Sequence, residues 1–178
     1  MADKRREPLR GRVARGTEKT NSSGKKLCRY CMQEILVKGR RTFCSDLCVH
    51  EHRLRSNIDY MRQNVFKRDS GVCSECLLDC VQLAKQISTM SLLDATRWLL
   101  PLGYPKGRIK QAYEKSFSLW DADHIVPVES GGGGCGLNNM RTLCVPCHLK
   151  ISRTQIFYRN NSVSVEQETL WGEKIKLY

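Results

Sequence analysis

The stretch from Trp120 to His148 contains the residue types of a hydrolytic metal site: W-D-A-D-H-I-V-P-V-E-S-G-G-G-G-C-G-L-N-N-M-R-T-L-C-V-P-C-H. Asp123 offers a carboxylate oxygen, a ligand that suits Mg²⁺ or Mn²⁺, and His148 offers an imidazole to the same ion. A histidine can accept a proton from water near neutral pH, which makes His124 the candidate general base. Asn139 is placed to hydrogen-bond across the loop and hold the strand of His124 in register.

These four residues predict metal-assisted hydrolysis of a phosphodiester. The ion would stabilise charge on the phosphate and the leaving oxygen, while His124 activates the attacking water. The glycines at 131–134 allow a sharp turn or a close approach of the backbone. No lysine follows them in the pattern of a phosphate-binding P-loop. The alternative interpretation is a non-catalytic zinc-ribbon module that binds DNA or acts as an adaptor, in which the Asp-His pair is incidental.

Eight of the ten cysteines fall in four close pairs. Disulfides are disfavoured in a reducing compartment, and paired spacing favours zinc. We therefore predict two structural Zn²⁺ sites, each with four cysteine ligands. The first site comprises Cys28, Cys31, Cys44 and Cys48, and the second comprises Cys73, Cys76, Cys144 and Cys147. We interpret Cys80 and Cys135 as ordinary thiols.

The two halves of the second set are separated by 67 residues. Such distant cysteine pairs make sense when one metal joins them, and a tetrahedral site would pin the residues 72–76 to the start of the last helix. Catalytic cysteine chemistry is disfavoured because no histidine or asparagine lies at a recognisable nucleophile spacing and zinc would hold the thiolates.

The composition predicts a polyanionic partner. Thirty basic residues against 18 acidic ones give a formal charge of +12, and neutralising phosphates releases condensed counterions. A basic solvated surface without a specific partner is the simpler interpretation. No apolar run reaches the roughly 20 residues of a membrane span, so we expect an intracellular protein with no membrane partner. The candidate DNA-contacting residues are Lys106, Arg108, Lys110, Arg141, Lys150 and Arg153.

The predicted fold class is α+β. Residues 1–26 carry nine basic and three acidic side chains and almost nothing apolar, so we predict a disordered arm, which is either a DNA tether or a linker. Residues 27–56 are predicted as the first zinc module, treble-clef-like, and 57–158 as the nuclease domain, with a helical insert at about 78–118. Residues 159–178 form a tail that either folds back or docks elsewhere.

Apolar spacing and capping residues predict the helices. Ser45 and Asp46 can cap a helix that carries Cys44 and Cys48 on one face. Further helices are predicted over residues 57–69, over 79–100 with a restart at Ser91 and a stop at Pro101, over 108–115, and from His148 to Phe157.

The order D-H-I-V-P, glycine-rich turn, N-N-M and L-C-V-P-C-H resembles the HNH (ββα-metal) nuclease motif. The resemblance implies a ββα-metal core in which Asp123 and His148 are metal ligands, His124 is the general base and Asn139 is the structural asparagine.

Residues 43–154 also resemble the HNH region of SNF2-type annealing helicases that carry a zinc-finger RAN-binding module. The resemblance rests on F-C-S-D-L-C, on S-N-I-D-Y-M-R-Q-N-V-F-K-R-D-S-G-V-C-S-E-C and on W-D-A-D-H-I-V-P-V-E-S-G-G-G-G. It implies cleavage of branched or fork-like DNA in replication-stress repair, in the nucleus, with a SNF2-type motor in the same full-length chain or in trans. The sequence contains no Walker-type motif and no clear sliding-clamp motif, so a clamp partner is only an expectation from this resemblance.

Overall fold

The computed structural model describes residues 18–115, 118–161, 166–168 and 174–176. Helices predominate, and the described strands are paired in two-stranded sheets. In chain order the elements are β1 (Lys19–Thr20), β2 (Lys26–Leu27), α1 (Asp46–Ser56), α2 (Ile58–Asp69), α3 (Cys80–Ile87), α4 (Leu92–Leu99), α5 (Lys106–Lys115), β3 (Trp120–His124), β4 (Met140–Cys144), α6 (Val145–Asn161), β5 (Glu166–Glu168) and β6 (Lys174–Lys176). Short 3₁₀ helices at Val128–Ser130 and Leu137–Asn139 lie between β3 and β4.

The chain divides into two compact units. One comprises Met1–Gly71 and Ala122–Thr142, and the other comprises Val72–Asp121 and Leu143–Tyr178. Each unit contains one of the two predicted cysteine sets.

The first unit is built on two helices that meet at a shared capping residue. The Ser45 hydroxyl caps α1 by accepting from the Cys48 N–H at 3.1 Å, as its position before the helix predicts. Asn57 then ends α1, and its side chain accepts from the Tyr60 N–H at 2.8 Å to begin α2. Met61 and Val65 of α2 are buried, so these two residues provide the apolar face of the helix. Ile58 and Phe66, which are also apolar residues of this helix, are 80% and 41% exposed.

The second unit contains the three helices of the predicted insert. Asp79 caps α3 by accepting from the N–H groups of Val81 and Gln82, both at 2.9 Å, and Ser91 caps α4 at Asp94 N–H, 3.1 Å. The predicted restart at Ser91 is confirmed, since α3 ends at Ile87 and α4 begins at Leu92. The core of this unit is apolar: Leu83, Ile87, Ala95, Leu99, Tyr104, Ile109, Leu119, Trp120, Leu143 and Val145 are buried.

Strands β3 and β4 pair with each other, and α6 follows β4 without an intervening residue. At one end of the pair, Ile125 N–H donates to Asn139 O at 2.9 Å, and at the other, Val145 N–H donates to Leu119 O at 3.2 Å. The later residue on one strand meets the earlier residue on the other, so the two strands are antiparallel. The result is a strand–strand–helix order over residues 120–161.

The ends of the chain are only partly described. Within the predicted arm, residues 1–17 lie outside the described residues, and β1 pairs with β2 with Lys19 opposite Leu27. Within the predicted tail, β5 pairs antiparallel with β6, with Gln167 opposite Ile175. None of the described helices is both long and apolar enough to cross a membrane.

Candidate functional site

The eight paired cysteines form the two clusters that the sequence predicted. In each set of four, the sulfur atoms all lie within 4.8 Å of one another. Neighbouring Sγ atoms are 3.6 Å apart between Cys31 and Cys44, 3.4 Å between Cys44 and Cys48, and 3.6 Å between Cys76 and Cys144. Four thiolates bound to Zn²⁺ at 2.3 Å in a tetrahedron would be ~3.8 Å apart. The donor set and its spacing therefore fit a structural zinc ion in both clusters.

Both clusters use the same backbone turn for their first cysteine pair. In the first, Cys28 N–H donates to Gln33 O and Met32 N–H donates to Cys28 O; in the second, Cys73 N–H donates to Leu78 O and Leu77 N–H donates to Cys73 O. Met32 and Leu77, which directly follow the second cysteine of each pair, have φ values of 61° and 60°. The second cysteine pair of each cluster lies at the beginning of a helix, α1 or α6, where the helix dipole favours negative sulfur.

Within each cluster the thiol pKa values move in both directions: despite burial, hydrogen bonds from backbone N–H groups lower the pKa of Cys28 to about 6 and that of Cys73 to about 7. Hydrogen bonds with Cys48 and Cys31 raise the pKa of the Cys44 thiol to about 12. In the second cluster, burial raises the pKa of the Cys147 thiol to about 11. Four sulfurs at these distances cannot all lose their protons without a positive charge between them. A bound divalent ion would supply that charge.

In the first unit, the predicted metal ligand Asp123 lies in an ion pair. Its Oδ2 accepts from Nε and Nη2 of Arg141, both at 3.1 Å. The two side chains are 17% and 19% exposed, so the pair is only partly screened by water. The charge of Arg141 was predicted to contact DNA; the structure places its guanidinium against the candidate metal ligand.

Asn139 ties together the loop that follows His124. Its Oδ1 accepts from Val126 N–H at 2.8 Å, and its Nδ2 donates to Val126 O at 3.2 Å and to Gly132 O at 3.0 Å. Its main-chain oxygen accepts from Ile125 N–H at 2.9 Å. These bonds fix the two residues immediately after His124, which ends β3 and is partly exposed.

Gly132 is the glycine that this loop requires. A Cβ at this position would lie 1.8 Å from Val126 O and 2.8 Å from Asn139 Nδ2. Both distances are shorter than a contact between a Cβ and another heavy atom can be. The prediction that the glycine run permits a close backbone approach is confirmed here. Gly131 and Gly134 serve the turn instead, with φ values of 88° and 58°.

In the second unit, His148 is held by Asp121. Asp121 Oδ2 lies 3.0 Å from His148 Nδ1, and Asp121 Oδ1 accepts from Arg108 Nη2 at 2.7 Å. Burial raises the pKa of the Asp121 carboxyl, but the hydrogen bonds from His148 and Arg108 outweigh it, and the pKa is lowered. An ionised carboxylate cannot donate, so Nδ1 carries the proton and the neutral ring has its lone pair on Nε2. This is the tautomer that a metal ligand held by an outer carboxylate requires.

The predicted catalytic ion rests on donor chemistry. A carboxylate from Asp123 and an imidazole from His148 suit a divalent cation such as Mn²⁺ or Mg²⁺. Among the described residues, the cysteine clusters are the groups of three or more histidine, cysteine or acidic side chains whose ligand atoms lie within 4.8 Å of one another. Asp123 and His148 are two side chains, fewer than such a group needs, and their role stays a prediction.

The predicted DNA-contacting residues fall into two classes. Arg108 and Arg141 are paired with Asp121 and Asp123 and are about a quarter exposed or less. The other four side chains are exposed on α5 or α6: Lys106, Lys110, Lys150 and Arg153.

Sequence reasoning missed two sets of side-chain contacts, one in each unit. Asp121 precedes Asp123 by two residues in β3, so the period of two along a strand was a signal that a second acid belongs to this region. Arg68 and Asp69, at the end of α2, contact the segment that carries Asn139. No local pattern in the sequence indicates that contact, because 69 residues separate Arg68 from Leu137.

Residues 109–154 match the family model described as HNH endonuclease. Curated relatives similar to this chain include the DNA annealing helicase and endonuclease ZRANB3 of Bos taurus, which is 39% identical over 144 residues and covers 72% of this chain. The protein of that name from Homo sapiens is 35% identical over 144 residues, again covering 72% of this chain. The chain spans 13% of the length of each of these relatives.

Among solved structures, the crystal structure of the human ZRANB3 HNH domain is similar to this chain. The sequences are 28% identical, and the match covers 59% of this chain and 94% of that domain with a TM-score of 0.48.

Proposed function

Because this chain contains an HNH endonuclease domain homologous to a region of ZRANB3, we propose that it hydrolyses phosphodiester bonds in DNA with a divalent cation. The observation that carries the proposal is the Asn139 bonding around the residues that follow His124. A strand end held in this way presents the candidate base in a fixed position, as a proton transfer requires.

In the proposed reaction, His124 accepts a proton from the attacking water at an imidazole nitrogen. Asp123 and His148 are the residues that would hold a Mg²⁺ or Mn²⁺ ion, which when bound would stabilise charge on the phosphate. Arg141 holds the carboxylate of Asp123 in place and offsets its charge. Asp121 orients His148 through Nδ1.

We propose that positive charge on α5 and α6 holds the DNA. Lys106 and Lys110 on α5 and Lys150 and Arg153 on α6 are exposed and are our proposed phosphate contacts, with a salt-dependent affinity. Arg108 and Arg141 contribute through the acids that they hold rather than through DNA. The two cysteine clusters bind zinc and stabilise the fold.

We propose branched or fork-like DNA as the substrate, in replication-stress repair in the nucleus. This part rests on the similarity to ZRANB3, a DNA annealing helicase and endonuclease, and on the resemblance to SNF2-type proteins. A SNF2-type motor in the same full-length chain or in trans would then deliver the substrate. A sliding clamp is a further proposed partner for which this sequence contains no clear motif.

The test is nicking of a labelled fork and of a matched duplex by the zinc-loaded protein, with Mg²⁺, with Mn²⁺ and without either. We expect cleavage only when the divalent ion is present, and faster cleavage of the fork. DNA binding without cleavage under every condition would contradict the nuclease proposal and support the zinc-ribbon adaptor. Equal cleavage of fork and duplex would contradict only the substrate preference.

A further inference from the structure

We propose that Arg68 is a positioning residue of the nuclease. It orients the Asn139 side chain by hydrogen-bonding to the main chain on both sides of Asn139. This inference rests on the proposed function for its activity arm. Its structural arm, the dependence of the Asn139 hydrogen bonds on Arg68, is independent of any activity.

The guanidinium of Arg68 donates two hydrogen bonds to main-chain carbonyls, one on each side of Asn139. Arg68 Nη1 donates to Leu137 O at 2.8 Å, and Arg68 Nη2 donates to Met140 O at 2.7 Å. The accepting carbonyls belong to the residue two before Asn139 and to the residue directly after it. Because both ends of this short segment are held by one rigid planar group, the backbone of Asn139 has little freedom to rotate.

The guanidinium is itself held by the next residue in the chain. Arg68 Nε donates to Asp69 Oδ1 at 2.6 Å and Nη2 donates to Asp69 Oδ2 at 2.8 Å. This bidentate pairing fixes the plane of the guanidinium and leaves its remaining N–H groups directed at the two carbonyls. The Arg68 hydrogen bond lowers the pKa of the Asp69 carboxyl, so the acid is ionised at neutral pH.

Asp69 adds a third point of attachment to the same segment. Its Oδ2 accepts from the Thr142 hydroxyl at 2.9 Å, and Thr142 is fully buried. The last turn of α2 therefore holds residues 137–142 through two carbonyls and one hydroxyl. Ser70 and Gly71, with φ values of 54° and 78°, turn the chain away directly afterwards, which leaves Arg68 and Asp69 at the end of the helix.

The hydrogen bonds of Arg68 affect the position of the candidate base, His124, through Asn139. The asparagine accepts from Ile125 N–H through its main chain and from Val126 N–H through its side chain. Any rotation of the segment at 137–140 would break these bonds and release the two residues that follow His124. Arg68 thus acts on the reaction through another residue, and it need not touch DNA.

A purely structural or electrostatic role for Arg68 makes different predictions. If the residue only contributed positive charge, lysine would replace it and any nearby cation would matter equally. Lysine has a single ammonium group, which cannot pair with both Asp69 oxygens and also reach two carbonyls. Lys67, an exposed cation one position earlier on α2, is the matched control for charge.

The experiment compares Arg68→Ala, Arg68→Lys and Lys67→Ala in the full zinc-loaded chain. Single-turnover cleavage of forked DNA with Mn²⁺, at a saturating excess of protein, measures the chemical step. Nitrogen-15 NMR of the Asn139 side-chain amide, together with hydrogen exchange at the Val126 N–H, measures the positioning. A double mutant, Arg68→Lys with Asn139→Ala, tests whether Arg68 acts through the asparagine.

We expect Arg68→Lys to slow cleavage about 10- to 100-fold, as misplacement of a catalytic group does, with DNA affinity equal to that of Lys67→Ala. The Asn139 amide signals should shift and Val126 exchange should accelerate, and the double mutant should be no slower than Asn139→Ala alone. Arg68→Ala should give the same or a larger loss; if it does not fold, Arg68→Lys decides.

Arg68→Lys with wild-type cleavage and unchanged Asn139 signals would overturn the proposal, and so would additive losses in the double mutant. A wild-type protein that cleaves no DNA would contradict the proposed function. The NMR and exchange measurements would then decide alone whether Arg68 positions Asn139.

Discussion

The oxygen and the nitrogen of the Asn139 side-chain amide both hydrogen-bond to the main chain of one loop. Among single residues, Asn139 therefore does most to fix the loop that follows His124. The oxygen accepts from Val126 N–H, and the nitrogen donates to the carbonyls of Val126 and Gly132. An aspartate at this position would lose the donors, and a glutamine would be one carbon too long. The loop in turn has room for the amide only because residue 132 has no side chain.

Gly132→Ala should therefore destabilise the protein and slow the proposed reaction. The new Cβ would lie 1.8 Å from Val126 O, and the backbone must move to relieve the contact, at a cost of about 1 to 3 kcal/mol in the free energy of unfolding. Urea unfolding measures this difference. Gly133→Ala is the control in the same loop, because its Cβ would meet only the side chain of Val128, at 3.1 Å. Equal stability of the two variants would show that the loop adapts without strain.

At the scale of secondary-structure elements, each cysteine cluster brings together one tight turn and the beginning of one helix. Each cluster joins a turn with a left-handed residue after its second cysteine, Met32 or Leu77, to the start of α1 or α6. In the second unit this connects residues separated by 67 positions in the chain. A bound zinc ion there would join the turn before α3 to the start of the helix that carries His148.

Replacing one thiolate of the second cluster should remove one zinc ion and much of the stability of its unit. Cys144→Ser should lower the zinc content from two to one per chain, and the loss of stability should be large, since structural zinc contributes about 10 to 16 kcal/mol in small zinc-finger peptides. Elemental analysis and thermal unfolding measure both effects. Cys48→Ser should affect the N-terminal module, and Cys135→Ser, outside both clusters, should change neither quantity. One zinc ion in the wild type would contradict the two-cluster assignment.

The sequence allowed much of this framework to be predicted, because short-range patterns determine it. The four close cysteine pairs, the capping roles of Ser45 and Ser91, and the helix after the second cluster follow from spacing within a few residues. The joining of two cysteine pairs across 67 residues was inferred instead from the four ligands that a structural zinc ion needs. The sequence could not identify the partners of charged side chains. Arg141 pairs with Asp123 and Arg108 with Asp121, because the fold brings them together, and the sequence alone suggested that both arginines contact DNA.

At the scale of the whole molecule, excess positive charge is the dominant feature. The chain carries a formal charge of +12, and a substantial part of this charge belongs to residues 1–17. Residues 1–17 contain six basic and two acidic side chains. These charges are far along the chain from every proposed catalytic residue, so binding and chemistry can be separated by deletion.

Deletion of residues 1–17 should weaken DNA binding and leave the chemical step unchanged. Each phosphate contact that is lost should lower the slope of log affinity against log salt by roughly 0.9 on duplex DNA. Binding measured at several salt concentrations gives the slope, and single-turnover cleavage at a saturating excess of protein gives the chemical step. An unchanged slope would show that these charges make no phosphate contacts.

Single-turnover cleavage of forked DNA by His124→Ala tests whether the HNH domain cleaves DNA with His124 as the general base. The reaction is compared at saturating protein in Mn²⁺ for wild type, His124→Ala and the control His52→Ala, a histidine on α1. We predict that His124→Ala cleaves about 100- to 10,000-fold more slowly, the usual contribution of a general base. DNA affinity and zinc content should be unchanged, and His52→Ala should match the wild type. Cleavage by His124→Ala at the wild-type rate would show that His124 is not the general base.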